Sequence, residues 1–164
     1  MIEIPRHVVI VGGSAGRDDA RSYKSDHSSI WCVARIYNRL PYADYVFDMH
    51  TSEHLWSDAT YKAHADRKLV LQQPIPLFPE ANILPANELR AEFGTLFTSS
   101  FAWMTAYAIH AGAEMLSLVG VNMQHTSELG KQRDTILYLL GFARARQIRV
   151  NLPQRSFLRQ GVRI

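Results

Sequence analysis

Seven consecutive residues, Asp48-Met49-His50-Thr51-Ser52-Glu53-His54, gather two carboxylates, two imidazoles and two hydroxyls. An imidazole changes charge near neutral pH and a carboxylate beside it can hold it in place. Asp48 and His50 are therefore candidates for general acid–base catalysis or for accepting a ligand hydroxyl. His50 and His54 are four apart and would share a helix face as a metal pair does. The run follows a strand-like segment and lacks the His-Glu-x-x-His order, so we expect no metal. A solvated loop capping the next helix remains the plainer reading of the same residues.

Three other groups carry chemistry. Thr98, Ser99 and Ser100 stand just before an apolar-periodic segment, where hydroxyls cap open backbone N–H groups and a helix N-terminus favours an oxyanion. Gly12, Gly13 and Ser14 close a β-branched run. Glycines there would let a phosphate approach the backbone, although the dinucleotide fingerprint would need glycine at Val11, and a tight turn explains them equally well. Beyond Gly120-Val121-Asn122, the polar residues 123–134 include His125, Glu128, Gln132 and Arg133. These are side-chain types that bind oxyanions or sugars. His125 is a second candidate acid or base, and Arg133 could neutralise charge on a leaving group.

Positioning these groups falls to alternating strands and helices. His7–Val11, Ile30–Ala34, Val46–Met49, Leu69–Leu71, Met115–Val119 and Ile148–Leu152 read as strands. Helices are expected over Arg35–Leu40, Ser57–Arg67, Asn87–Phe93, a segment after Ser100 with its apolar stripe at Phe101, Met104, Ala108 and Ile109, and a segment through Ile136, Leu139, Leu140 and Ala143. Gly112 follows the central helix as a C-cap. Gly141 is expected to let the last helix approach the sheet. Arg17–Arg21 is polar and reads as a flap, and Gln72–Pro85, with four prolines, as an irregular excursion walling a site. The pattern implies an α/β, Rossmann-like three-layer sandwich with a mostly parallel central sheet, and a ligand crevice at the strand C-termini that Asn122 would face.

At 164 residues the chain reads as one domain spanning 1–164, with a basic tail over about 154–164. An apolar share of 47% and a charged share of 20% describe an ordinary soluble protein. No apolar run approaches the ~20 residues of a membrane span, the opening residues do not form a signal peptide, and Cys32 is the single cysteine. Together these point to the cytoplasm. A net charge of +3 suits a phosphate-bearing ligand and falls short of a dedicated nucleic-acid binder. The C-terminal arginines read as helix-dipole compensation and a solvated tail.

Six spaced motifs carry a resemblance over nearly the whole chain: Ile30-Trp31-Cys32, Phe47-Asp48-Met49-His50, Phe97-Thr98-Ser99-Ser100, Gly120-Val121-Asn122-Met123, Ser127-Glu128 with Gln132-Arg133, and Gly141-Phe142-Ala143-Arg144-Ala145-Arg146. Together they resemble a family of small, uncharacterised bacteriophage and prophage proteins, which implies a Rossmann-like fold and, for a phage-encoded protein, the host cytoplasm. More remotely, Phe-Thr-Ser-Ser, a helix and a strand ending in Gly-Val-Asn is similar to bacterial sialyltransferases that use a cytidine-monophosphate sugar donor, and to hydroxymethylpterin pyrophosphokinase-like proteins. That similarity implies a nucleotide or nucleotide sugar as ligand. Where the phage family usually has asparagine and aspartate, this chain has Ala34 and Asn122, and Ser14-Ala15 replaces a proline of the glycine turn.

Two functions follow from the same pocket. One is a metal-independent glycosyl- or nucleotidyl-transferase in which Gly12, Gly13 and Ser14 cradle one phosphate, Ser99 and Ser100 a second oxyanion, and His50 or His125 moves the proton. The other is a binder without turnover that sequesters a host nucleotide-derived signal, favoured by the lost acidic residue at 122. A third is a partner-binding protein with Trp56 and Tyr61 as anchors. The sequence leaves a homo-oligomer open.

Overall fold

The computed structural model describes residues 6–123 and 127–161. Their centre is a seven-stranded sheet in the order β5-β4-β3-β2-β1-β6-β7, with every pair parallel. The strands are β1 (His7–Val11), β2 (Ser28–Val33), β3 (Tyr45–Phe47), β4 (Leu69–Leu71), β5 (Asn82–Ile83), β6 (Met115–Val119) and β7 (Arg149–Asn151). Continuous β-branched and apolar runs such as His-Val-Val-Ile-Val suit strands covered on both faces, and Val8 to Val11 are fully buried. The chain steps from β1 outward to β5, then returns to place β6 on the other side of β1. The β1–β6 seam is therefore the topological switch point, beside which an open α/β sheet forms its crevice.

The two faces are covered differently. On one, Ile10, Trp31, Phe47 and Leu118 pack under α2 (Ala86–Phe93), α3 (Ser100–His110) and α4 (Ser127–Ala145). On the other, Val9, Cys32 and Leu69 lie under α1 (Asp58–Ala65), the segment around Phe78 and two 3-10 helices, Arg17–Tyr23 and Ala34–Arg39. This is the three-layer α/β sandwich that the alternation of patterns implies.

Several boundaries differ from the sequence expectation. β2 begins two residues before Ile30 and stops at Val33, and β3 ends at Phe47, so Ala34, Asp48 and Met49 lie just past their strands. Residues 17–21 are not a flap but part of a 3-10 helix that buries Ala20. The proline-rich excursion includes β5, held by Leu84 N–H donating to Leu71 O. α3 has more than a stripe: Ala102 through Ile109 are all buried, because small residues at 102, 106 and 108 let the sheet, α2 and α4 close around it. α4 starts at Ser127, so Gln132 and Arg133 sit on a helix rather than in a loop; polar first turns and Gly130 hid that start. Gly141 is exposed and a Cβ there would touch nothing, so it mediates no close approach to the sheet. Gly112, with φ of +82°, ends α3 in the left-handed conformation glycine favours. The C-terminal region carries a 3-10 helix, Phe157–Gly161, that buries Leu158. No described helix is long and apolar enough to cross a membrane.

Candidate functional site

A cleft of about 1020 Å³ opens at the carboxyl ends of the strands. Its floor is made by the residues that follow β1, β2, β3, β4 and β6. One wall comes from Arg90 and the segment 95–103, and another from Leu55 and Ser57. Ser99 is the N-cap of α3, its Oγ accepting from Ala102 N–H at 3.3 Å. That cap satisfies one of the open N–H groups at the start of α3, and Ser99, Ser100 and Phe101 there line the cleft.

The chemistry of the β3 end is specific. Asp48 continues the ladder through its N–H to Val70 O at 3.0 Å, which sinks its carboxylate to 4% exposure. Asp48 Oδ1 accepts from His50 N–H at 3.1 Å and lies 2.6 Å from His50 Nδ1. Asp48 Oδ2 accepts from Thr60 Oγ1 at 2.7 Å. A carboxylate only accepts, so in the neutral imidazole the proton stands on Nδ1 and Nε2 carries the lone pair. The His50 side chain is 52% exposed and borders the cleft. The turn carrying it is pinned by Gln72 Nε2–H to Met49 O at 3.2 Å and by Trp56 Nε1–H to His50 O at 3.3 Å. His54 lies in a short 3-10 helix, Glu53–Leu55, with its side chain exposed. Among the described residues, no three His, Cys, Asp or Glu side chains stand together as metal ligands would.

The glycine turn after β1 is occupied by the protein itself. Gly12 N–H donates to Val119 O at 2.8 Å and Ser14 N–H to Gly120 O at 2.9 Å. A Cβ on Gly12 would collide with the Gly120 carbonyl, and one on Gly120 would sit 2.7 Å from Gly12 O. Gly13 and Ser14 border the cleft; Gly12 lies beneath it.

Of the other expected site residues, Thr98, Ser99, Ser100, Asn122 and Gln132 all line the cleft. Thr98 Oγ1 is 3.1 Å from Thr135 Oγ1 of α4, which ties this wall to the last helix. Arg133 is not among the lining residues. His125 lies outside the described residues, as does the side chain of Glu128.

Sequence reasoning passed over Arg35 and Arg90, the cationic side chains that border the cleft. Arg90 holds its guanidinium 5.0 Å from the Trp103 ring, and Phe97 stacks on Trp103 at 3.9 Å. Among the described residues Asp48 is the one carboxylate on the lining and it already accepts three hydrogen bonds, so the charge of the cleft favours an anionic ligand. Arg35 stands two residues past the end of β2, a position at a strand's carboxyl end that could have flagged it. Nothing local distinguishes Arg90 from any other surface arginine.

No protein-family model matches the chain, and no curated protein matches it in sequence. Its fold is similar to that of the sialyltransferase CstII from Campylobacter jejuni in complex with the substrate analogue CMP-3FNeuAc, with a TM-score of 0.52 and 14% identity over 96% of this chain and 84% of that one. The same enzyme in complex with cytidine-5'-monophosphate gives 0.52 and 13% over the same shares. A CST-II variant in complex with CMP gives 0.50 and 13% over 95% of this chain and 85% of that one. The likeness is one of fold.

Proposed function

We propose that the cleft binds a nucleotide-activated sugar and transfers its glycosyl group to an acceptor hydroxyl, with His50 as general base. The observation that carries this reading is the Asp48–His50 pair: a buried carboxylate fixes the ring at Nδ1, and Nε2 remains to act at a cleft large enough for such a donor. In the step, Nε2 takes the acceptor hydroxyl proton, the acceptor oxygen bonds the anomeric carbon, and the bond from that carbon to the phosphate oxygen breaks, its electron pair leaving with the phosphate. The N-terminus of α3, with Ser99 and Ser100, and the cations Arg35 and Arg90 favour the departing anion. Among the described residues the donor set does not fit a divalent ion, since Asp48 is the one carboxylate on the lining and its oxygens already accept three hydrogen bonds.

The fold likeness to an enzyme crystallised with CMP and a CMP-sugar analogue makes these the first probes. A ligand that binds only the folded state stabilises it by ~2.7 kcal/mol at a hundredfold excess over Kd. We expect CMP or a CMP-sugar to raise the melting temperature of the full chain, and CMP release from the sugar to require His50. Absence of any shift across CMP, other nucleotides and nucleotide sugars would overturn the reading. A second reading, binding without turnover, is favoured by Ala34, which offers the cleft only a methyl group. It predicts the same thermal shift with no CMP release.

A further inference from the structure

We infer that Thr60, on α1 and outside the cleft lining, is a positioning residue that sets the tautomer of His50 through Asp48. The inference rests on the reading of His50 as the base. Thr60 is completely buried, twelve residues from Asp48, and its Oγ1 donates to Asp48 Oδ2 at 2.7 Å.

The direction of that bond is imposed by the helix start. Thr60 is the third residue of α1, and Ser57 N–H donates to Thr60 Oγ1 at 3.2 Å, the backbone half of a capping box. Ser57 Oγ lies 3.4 Å from the same oxygen and can donate as well. With its lone pairs turned to Ser57, the Thr60 hydroxyl gives its single proton to the carboxylate.

The consequence at the carboxylate is geometric. Oδ1 takes both donors of His50, and Oδ2 has Thr60 as its partner. Without the hydroxyl, Oδ2 would be buried and unsatisfied, a state costly enough to turn the carboxyl group toward another donor. Turning it draws Oδ1 away from Nδ1, and a half-exposed imidazole then redistributes its proton between its two nitrogens. The N-terminus of α1 thereby determines whether Nε2 can accept a proton.

The test uses the full chain with ring-15N-labelled histidine and no ligand, with the His50 signals assigned from His50→Gln. In the unsubstituted protein His50 is expected as the Nδ1–H tautomer, with a downfield Nδ1–H proton resonance. Thr60→Val should lose that resonance and populate the Nε2–H form, and Thr60→Ser should restore the original spectrum. Should Thr60→Val fail to fold, Thr60→Cys replaces it, the thiol being a weak donor of similar size, and a partial gain of the Nε2–H form is expected. A folded Thr60→Val or Thr60→Cys protein with an unchanged His50 tautomer would overturn the inference and leave Thr60 a helix cap alone. Because no nucleotide is present, a negative ligand screen would remove the proposed function without touching this result.

Discussion

After β1 the chain turns through Gly12, Gly13 and Ser14, and the N–H groups of Gly12 and Ser14 go to carbonyls at the end of β6. After β3 it turns through Asp48, Met49 and His50, and the donors converge on a buried carboxylate while the imidazole stays half exposed at the cleft. Both turns meet the same cleft at the carboxyl ends of one sheet. At the first, the close approach that glycine permits is used by the protein's own backbone. At the second, polar atoms are spent on aiming one ring nitrogen outward. A glycine-rich strand end signals that some backbone comes near; it does not say whose.

The largest test of this contrast is His50→Ala. It should leave stability within about 1 kcal/mol, the ring being half exposed, yet lower turnover of a CMP-sugar by about 100-fold or more. Steady-state CMP release against urea unfolding separates the two effects.

Gly12→Ala should do the reverse. Its methyl meets the Gly120 carbonyl, so unfolding in urea should show a loss of about 3 kcal/mol, while the material that remains folded keeps its ligand affinity. Weakened binding with unchanged stability would instead make this turn a ligand cradle.

Another histidine sharpens the comparison. His7, at the amino end of β1, holds Ser117 Oγ at 2.9 Å and meets the Tyr23 ring edge-on, with Asn151 donating to both of these partners and the Arg149 charge nearby. Burial first, and then the Arg149 charge, lower its pKa below 6.5. Neutral His7 is thus favoured in the folded state, and the unfolded chain takes up its proton first. The stability it confers is complete above pH 6.5 and is lost as pH falls from there through the lowered value. His7→Gln should flatten that part of the stability profile; a slope that persists would show another group to be responsible.

The smallest effect concerns Cys32. Burial pushes its thiol up to about 12, only partly opposed by Lys68. Thiol reagents should leave the folded protein untouched at pH 8 and label it on unfolding, so that labelling reports the stability loss in Gly12→Ala.

Much of this architecture was legible because buried parallel strands write themselves as unbroken apolar runs. β1, β4 and β6 match their runs residue for residue. β5 was hidden because two residues among prolines leave no pattern, and the start of α4 because its first turns are polar. At the site, the candidates gathered at strand ends and at the N-cap of α3 could be named because strand ends and caps are local features. Thr60 and Arg90 could not, since each matters through a contact that only the fold creates, with Asp48 in one case and the Trp103 ring in the other.

Glu92 of α2 also accepts from His110 Nδ1, at the last residue of α3, and from Arg146, just past the end of α4. This exposed triad lashes the C-terminal ends of three helices together, while the opposite ends of α3 and α4 bring Ser99, Ser100 and Gln132 to the cleft. With α3 about 16 Å long, the lash and the cleft stand at opposite ends of the same helix. Anything that presses on Ser99 and Ser100 from the cleft therefore bears on a helix whose far end is already fastened at Glu92.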